Sequence, residues 1–211
     1  KYNRLLKERN QYLKLLSKKN GKYDDYLETI DEQMVDVQLK VIEKRENFIE
    51  RLSKNVKDIY KSIADNEEYV DLNYLCFIKK KNKEELLKLY KKEFSRDLKY
   101  LSTTHGIHKE DMKIMIDQKS AHQYASQGQQ RTIVLSIKIA LLELIKEEIG
   151  EYPILLLDDV LSELDDQRKT KLLDILNNRI QTFITTTSID GIEHHVIKEA
   201  KKININRKEE Q

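Results

Sequence analysis

The chain has 211 residues, 36% charged and 39% hydrophobic, with one proline and five glycines, enough for one or two cored domains and typical of a helix-rich protein. Thirty-nine basic residues against thirty-seven acidic ones leave a net charge of +2, so any basic face must be local rather than global. A single cysteine, Cys76, excludes an internal disulfide framework, and with no secretory signal and no bilayer-length apolar run the expected compartment is the cytoplasm, away from membranes.

Lys1 opens the chain in mid-helix character, as expected of the later part of a longer polypeptide. Residues 1–16 carry Tyr2, Leu5, Arg9, Tyr12 and Leu16 in helical step, and Asn20-Gly21 supplies a stop and turn. Residues 22–64 then show a stripe at Tyr23, Leu27, Ile30, Met34, Val37, Val41, Phe48, Leu52, Val56, Ile59 and Ile63. Its steps are mostly of three and four, which predicts one long helix with a seam. That seam needs partners, and residues 1–16 and 83–102 (Leu87, Tyr90, Phe94, Leu98, Leu101) offer them. An antiparallel helical arm is the expected result.

Residues 68–78 ("EYVDLNYLCFI") change period: Val70, Leu72, Tyr74 and Cys76 alternate with Tyr69, Asp71, Asn73 and Leu75, predicting a half-buried strand with Cys76 in the core. Lys79, Lys80, Lys81 and Lys83 follow, continued by Lys88, Lys91 and Lys92 and interrupted by Glu84, Glu85 and Glu93. The run reads either as a nucleic-acid contact or as a solvated helix face. Residues 112–117 are a second short strand candidate. His105 and His108 lack a third ligand nearby in sequence, and His194-His195 reads as a solvated pair.

"QYASQGQQRTIVL" (123–135) places Ser126 as an N-cap and Gln129 three residues later as the closing member of a capping box. Gly128 removes a side chain where a backbone or phosphate could approach. Ile133, Ile137, Ala140, Leu141 and Leu144 form the expected buried stripe. "PILLLD" (153–158) predicts a buried strand with both faces covered. Asp158 and Asp159 stand at its C-terminal end, where α/β sheets bind ligands, and paired carboxylates there suit Mg²⁺. Residues 162–178 read as loop then helix with Leu172, Leu173 and Leu176 buried. "QTFITTT" (181–187) is a β-branched strand ending in Thr187, and a last extended piece, around "KININR", is read within residues 194–206. Strand, helix, strand in this order predicts a parallel layer covered by helices.

"SQGQQR" (126–131), "ILLLDDVLSELD" (154–165) and "TFITTT" (182–187) resemble the signature motif, the Walker B strand with its D-loop, and the switch strand of the RecF family. These are bacterial recombination mediators of the ABC ATPase class, related to SMC proteins. The resemblance spans most of 105–211. "GIHKED" (106–111) stands where the family usually has Gly-Pro-His-Arg-Asp-Asp, and matches it at Gly106, His108 and Asp111.

The resemblance implies an α/β fold in which residues 1–104 form a mainly helical lever arm and 105–211 the C-terminal part of an ATPase head. It also implies that two subunits sandwich ATP, with Ser126, Gln127, Gly128 and Gln129 meeting the partner's nucleotide. Asp158 would hold Mg²⁺ through water, and Asp159 would be the catalytic base. Ser162, Glu163, Leu164 and Asp165 would line the dimer interface, and Thr187 the switch position. DNA at single-strand/double-strand junctions, RecR, RecO and the RecA pathway are the implied partners, with Lys79, Lys80, Lys81 and Lys83 as DNA contacts. No G-x-x-x-x-G-K-[ST] occurs in the chain, so the phosphate-cradling loop is expected elsewhere and the chain alone is not expected to hydrolyse ATP. Two alternatives stand beside this reading: another SMC-like ATPase, and a non-catalytic protein-binding module with a structural ATPase remnant.

Overall fold

The computed structural model describes residues 1–64, 67–177, 179–190 and 200–205. The chain forms two compact units, one of residues 1–53 and 71–115, the other of 54–70 and 116–211.

Three helices build the first unit: α1 (Tyr2–Lys18), most of α2 (Asp25–Ala64) and α3 (Lys83–Tyr100). Asp24 starts α2, its carboxylate accepting the Leu27 N–H at 3.0 Å, with Asp25 and Glu28 favourably placed in the first turn. The turn before it uses Asn20 in the left-handed region (φ 49°) while the Gly21 N–H donates to the Leu16 carbonyl.

The packing is antiparallel. Tyr2 and Leu5 at the start of α1, and Leu86 and Tyr90 at the start of α3, cluster with Met34 and Ile42 of α2. Leu13 and Leu16 near the end of α1, with Phe94 and Leu98 of α3, meet Leu27 at the start of α2. Each fully buried aliphatic side chain contributes about 1.5–3 kcal/mol.

The seam departs from the predicted stripe in places. Gln38, Ile42 and Tyr60 are buried, whereas Phe48 is 46% exposed. The inward face drifts because 3.6 residues per turn does not keep step with a strict seven-residue repeat. On α3, Leu86 and Asp97 point inward, and Leu101 is the C-cap at φ 53°, outside the seam.

An ion network replaces apolar packing at one level of this bundle. Arg9 is wholly buried, its Nε 2.5 Å from Asp31 and its Nη1 2.6 Å from Asp97 and 2.9 Å from the Thr103 hydroxyl. Its guanidinium also lies over the Tyr90 ring, 4.7 Å from the centroid. Burial pushes the Asp31 carboxyl up, opposed by Arg9.

Asp97 also accepts from the Thr104 N–H and hydroxyl, anchoring the loop after α3. That loop depends on Gly106, at φ 144°, where a Cβ would come within 2.7 Å of the Tyr2 hydroxyl. Gly106→Ala is therefore expected to lower stability by about 1–3 kcal/mol in urea denaturation, through backbone strain and the clash together. An unchanged midpoint overturns this. Glu110, which departs from the family pattern, is structural: its buried carboxylate pairs with Arg45 at 2.9 Å and accepts from the Tyr74 hydroxyl.

β1 (Val70–Leu75) falls within the strand expected from alternation over 68–78, and β2 (Asp111–Ile116) overlaps the strand candidate at 112–117. β2 turns through Asp117 and Gln118, both at positive φ, into β3 (Lys119–Ser120), giving the order β1-β2-β3. Cys76 is half-buried beside the bundle core, and burial raises its thiol pKa, in keeping with a packing role.

The second unit holds α4 (Ala121–Tyr124), α5 (Gln127–Ile149), β4 (Leu155–Asp158), α6 (Asp166–Leu176) and β5 (Thr182–Thr185). β4 and β5 pair in parallel, Leu155 opposite Thr182 through Asp158 opposite Thr185. Leu157 packs with Leu135, Ile139 and Leu142 of α5 and Leu172 and Leu176 of α6. Helix α5 is buried on a wider face than predicted: Leu135, Ile139 and Leu142 are inside, whereas Ile137 and Leu141 are half-buried.

The expectation that β4 has both faces covered needs correction. Ile154, Leu156 and the cross-strand Phe183 are 59%, 73% and 54% exposed, because the helices of this unit cover only the Leu157 side. Residues 202–205 of the "KININR" segment form no strand, and the rest of it, with His194 and His195, lies outside the described residues.

Candidate functional site

Helix α5 begins with the predicted capping box. The Ser126 hydroxyl accepts the Gln129 N–H at 3.2 Å, and the Gln129 carboxamide oxygen accepts the Ser126 N–H at 2.7 Å. The other end of that carboxamide donates to Glu68 at 2.6 Å, so Gln129 is committed within the chain. The first-turn amides of Gln127 and Gly128 have no acceptor among the described residues, and no acid occupies the first turn. An open helix mouth of this kind attracts phosphate oxygens. A Cβ at Gly128 would meet only the Arg168 guanidinium, at 3.4 Å. The chain's own packing therefore does not demand glycine there, and the approach of something else would.

Arg168 is a residue that the sequence reading missed. It stands on the first turn of α6, paired with Asp165 at 3.2 Å and placed beside Gly128. Its sequence signal was only its position three residues after the last D-loop acid.

The loop between β4 and α6 is tied to α5 and to itself. Glu163 lies 3.5 Å from Arg131 of α5, and the Ser162 hydroxyl donates to the Asp159 carbonyl at 2.8 Å. Asp165 caps α6 by accepting the Arg168 N–H. Leu164 is turned into the core at 8% exposure, leaving Ser162, Glu163 and Asp165 on the surface. A groove of about 440 Å³ runs beside this loop, lined by Arg131, Val134, Lys138, Leu157 and Val160 among others.

Asp158 and Asp159 sit at the end of β4, both exposed. The Thr185 hydroxyl donates to the Asp158 carboxylate at 2.5 Å, and the Asp159 N–H reaches the same hydroxyl oxygen at 3.1 Å. It is thus Thr185, paired with Asp158 across the strands, that braces the acid pair. Thr187 lies two residues beyond β5, exposed.

Asp159 adopts φ 51°, a left-handed conformation that aspartate tolerates better than most residues. Its carboxylate has no partner among the described residues and projects into solvent. Two carboxylates do not by themselves enclose a metal, and no cluster of three acidic, histidine or cysteine ligands occurs among the described residues. The donor set fits Mg²⁺, which takes one or two carboxylates and completes its shell with water and substrate phosphates. His105 and His108 are held by separate partners, Thr104 and Tyr2.

The lysine run after β1 is largely neutralised. Lys81 pairs with Glu46, Lys83 with Asp36, Lys88 with Glu84 and Lys91 with Glu28. Lys79 and Lys80 remain exposed.

The fold is the α/β lobe of an ABC-type ATPase joined to an antiparallel helical arm. No protein-family model matches the chain. Over 99% of its length it is 43% identical to the DNA replication and repair protein RecF of Staphylococcus carnosus (strain TM300), and 42% identical to that of Staphylococcus aureus (strain JH9). The chain is thus similar to RecF along almost its whole length. It spans 58% of the length of those relatives. A solved structure of the recombination mediator RecF with ATP, from the RecFOR pathway, superposes with a TM-score of 0.78 at 38% identity, covering 90% of this chain and 52% of the other. A second, with the ATP analogue, gives 0.76 at 38% identity, covering 91% and 53%. Among the described residues no helix is long and apolar enough to cross a membrane.

Proposed function

We propose that this chain provides the lever arm and the signature-bearing part of an ATP-dependent DNA clamp that acts in recombinational repair. The observation that carries the reading is the open N-terminus of α5: two unclaimed amides and a glycine that its own packing does not require. The chain has no phosphate-cradling lysine motif of its own. By its resemblance to the ABC class, the phosphate that fits this mouth belongs to a nucleotide held by another subunit, and ATP closes a homodimer.

Asp158, braced by Thr185, is suited to hold the water shell of Mg²⁺, which supplies charge neutralisation for the phosphates when bound. Asp159 is suited to orient and deprotonate the attacking water. Its carboxylate is one methylene shorter than glutamate's, and attack geometry is sensitive to roughly 1 Å, which favours slow hydrolysis and a timed clamp. Ser162 and Glu163 are the D-loop residues available to a partner surface, and Thr187 is placed to sense the switch. Dimer closure stabilised by DNA and released by hydrolysis follows from differential affinity for the two states.

In the complete protein this activity serves DNA gaps and single-strand/double-strand junctions in the cytoplasm, with RecR and RecO helping RecA to load. The similarity to RecF and the RecFOR setting of its structural neighbours support that assignment. The exposed face of Ile154, Leu156 and Phe183 suits a further layer of the ATPase head, since parallel sheets are covered on both sides.

Sedimentation velocity on the full-length protein tests the clamp. Mg-ATP is expected to shift the wild type from monomer to dimer, whereas Ser126→Arg stays monomeric while still binding ATP. If both dimerise alike, or neither responds, the open mouth is only a capped helix end and the clamp reading falls.

A further inference from the structure

The outer face of α1 bears a basic stripe. Arg4, Lys7, Gln11, Lys14 and Lys18 follow one another at steps of three and four. At about 100° per residue they fall within roughly 80° of arc, over a rise of roughly 21 Å. Tyr2, Leu5, Arg9, Leu13 and Leu16 are buried on the opposite side, so packing of that face fixes the stripe toward solvent. All four cations are exposed, and none has an acidic partner among the described residues. The one acid on α1, Glu8, flanks the stripe and accepts from the Tyr26 hydroxyl at 3.0 Å. On α3, Lys83, Lys88 and Lys91 are each matched by a carboxylate, and Lys92 and Lys99 are exposed.

From this we infer that the exposed face of α1 binds the phosphate backbone of duplex DNA through Arg4, Lys7, Lys14 and Lys18, in place of the run at Lys79–Lys83, where Lys81 and Lys83 are paired with acids. The inference rests on the DNA-clamp reading above and deepens it by naming the surface. Four uncompensated cations in line match a polyanion, and a cation is worth most where no local acid competes for it. The stripe lacks the aromatic side chains on which unpaired bases stack, so it reads backbone rather than single-strand bases. It does not fit a membrane surface, because the apolar side of α1 is committed to the core. Nor does it fit a protein interface core, where lysine is depleted. Contacts of this kind position the duplex without reading sequence.

The test compares two matched neutralisations in the full-length protein with Mg-ATP and a fluorescent duplex, titrated across a salt series. One variant carries Arg4→Gln, Lys7→Gln, Lys14→Gln and Lys18→Gln; the other carries Lys79→Gln, Lys80→Gln, Lys81→Gln and Lys83→Gln. Each phosphate contact contributes about 0.9 to the slope of log affinity against log salt, so loss of the α1 set is expected to reduce that slope by about 3–4. Affinity near 0.1 M salt should fall at least about tenfold, while ATP-driven dimerisation and the thermal midpoint stay unchanged. The second variant should lose less than half as much slope. If the α1 variant keeps the wild-type slope, or the two variants lose slope equally, this surface is wrong while the clamp stands. If the α1 variant keeps its DNA curve but loses RecR binding, the stripe is a protein-docking face and the inference is overturned. If the wild type itself fails to bind duplex, the DNA reading falls with it.

Discussion

Replacing Arg9 with methionine is expected to destabilise the helical unit by about 3–5 kcal/mol, among the largest single-residue effects in this chain. Methionine approximates the volume of the side chain but leaves Asp31 and Asp97, 0% and 1% exposed, with no cation between them. Removing one member of a buried ion cluster costs far more than the intact cluster contributes, because an uncompensated charge then remains in low dielectric. The sign of the pH dependence follows. Burial already raises the Asp31 carboxyl above its usual value despite Arg9, and losing the guanidinium raises it further. A carboxyl whose folded pKa exceeds its unfolded one favours the fold in its protonated form, so stability is lost as pH rises through the folded value. The deficit of Arg9→Met should therefore shrink as pH falls from neutrality toward the carboxylate range. Adding Asp31→Asn should recover part of it at neutral pH. Urea denaturation followed by circular dichroism measures both, with Arg4→Met on the exposed side of the same helix expected within about 0.5 kcal/mol of wild type. A loss under 1 kcal/mol for Arg9→Met would show that the network is dispensable.

The second large effect concerns turnover. Asp159→Asn in the full-length protein is expected to reduce ATP hydrolysis by about 100-fold or more, the contribution of a positioned general base, with ATP affinity changed no more than a few-fold. Asparagine tolerates the left-handed backbone that Asp159 adopts at φ 51°, so the loop should keep its shape and the readout is chemical. Asp158→Asn should behave differently. It removes charge from the acid that Thr185 braces, and should weaken Mg²⁺-dependent nucleotide binding as well as turnover. Single-turnover hydrolysis alongside equilibrium nucleotide binding separates the two. Unchanged turnover in Asp159→Asn with ATP still bound removes this residue from the chemistry.

Periodicity alone located the elements. Alternation marked β1, three-and-four steps marked α1, α2 and α3, and Ser126 with Gln129 announced the capping box that the structure contains. These are local signals, written by the 3.6-residue turn, the two-residue pleat and the need to satisfy orphan amides at a helix start. Arg9 shows where such signals stop. It kept step with its apolar neighbours, so its inward direction was legible, but the two acids that make burial tolerable come from residues 31 and 97. The same limit applies to the lysines. Lys81 and Lys83 sit in the most basic run of the sequence, yet Glu46 and Asp36 across the helices neutralise them, while the sparser stripe of α1 stays free.

By itself, then, the sequence determined which segments are helix and strand, the cap of α5, the acid pair at the end of β4 and the likeness to RecF, because each depends on residues within a few positions of one another. Tertiary structure alone decided that Thr185 braces the acids, that Arg168 stands at the mouth of α5, that one face of β4 is bare and which cations remain unpaired. Those outcomes depend on which distant side chains the packing brings within reach, and charge compensation, like burial, is settled by neighbours in space.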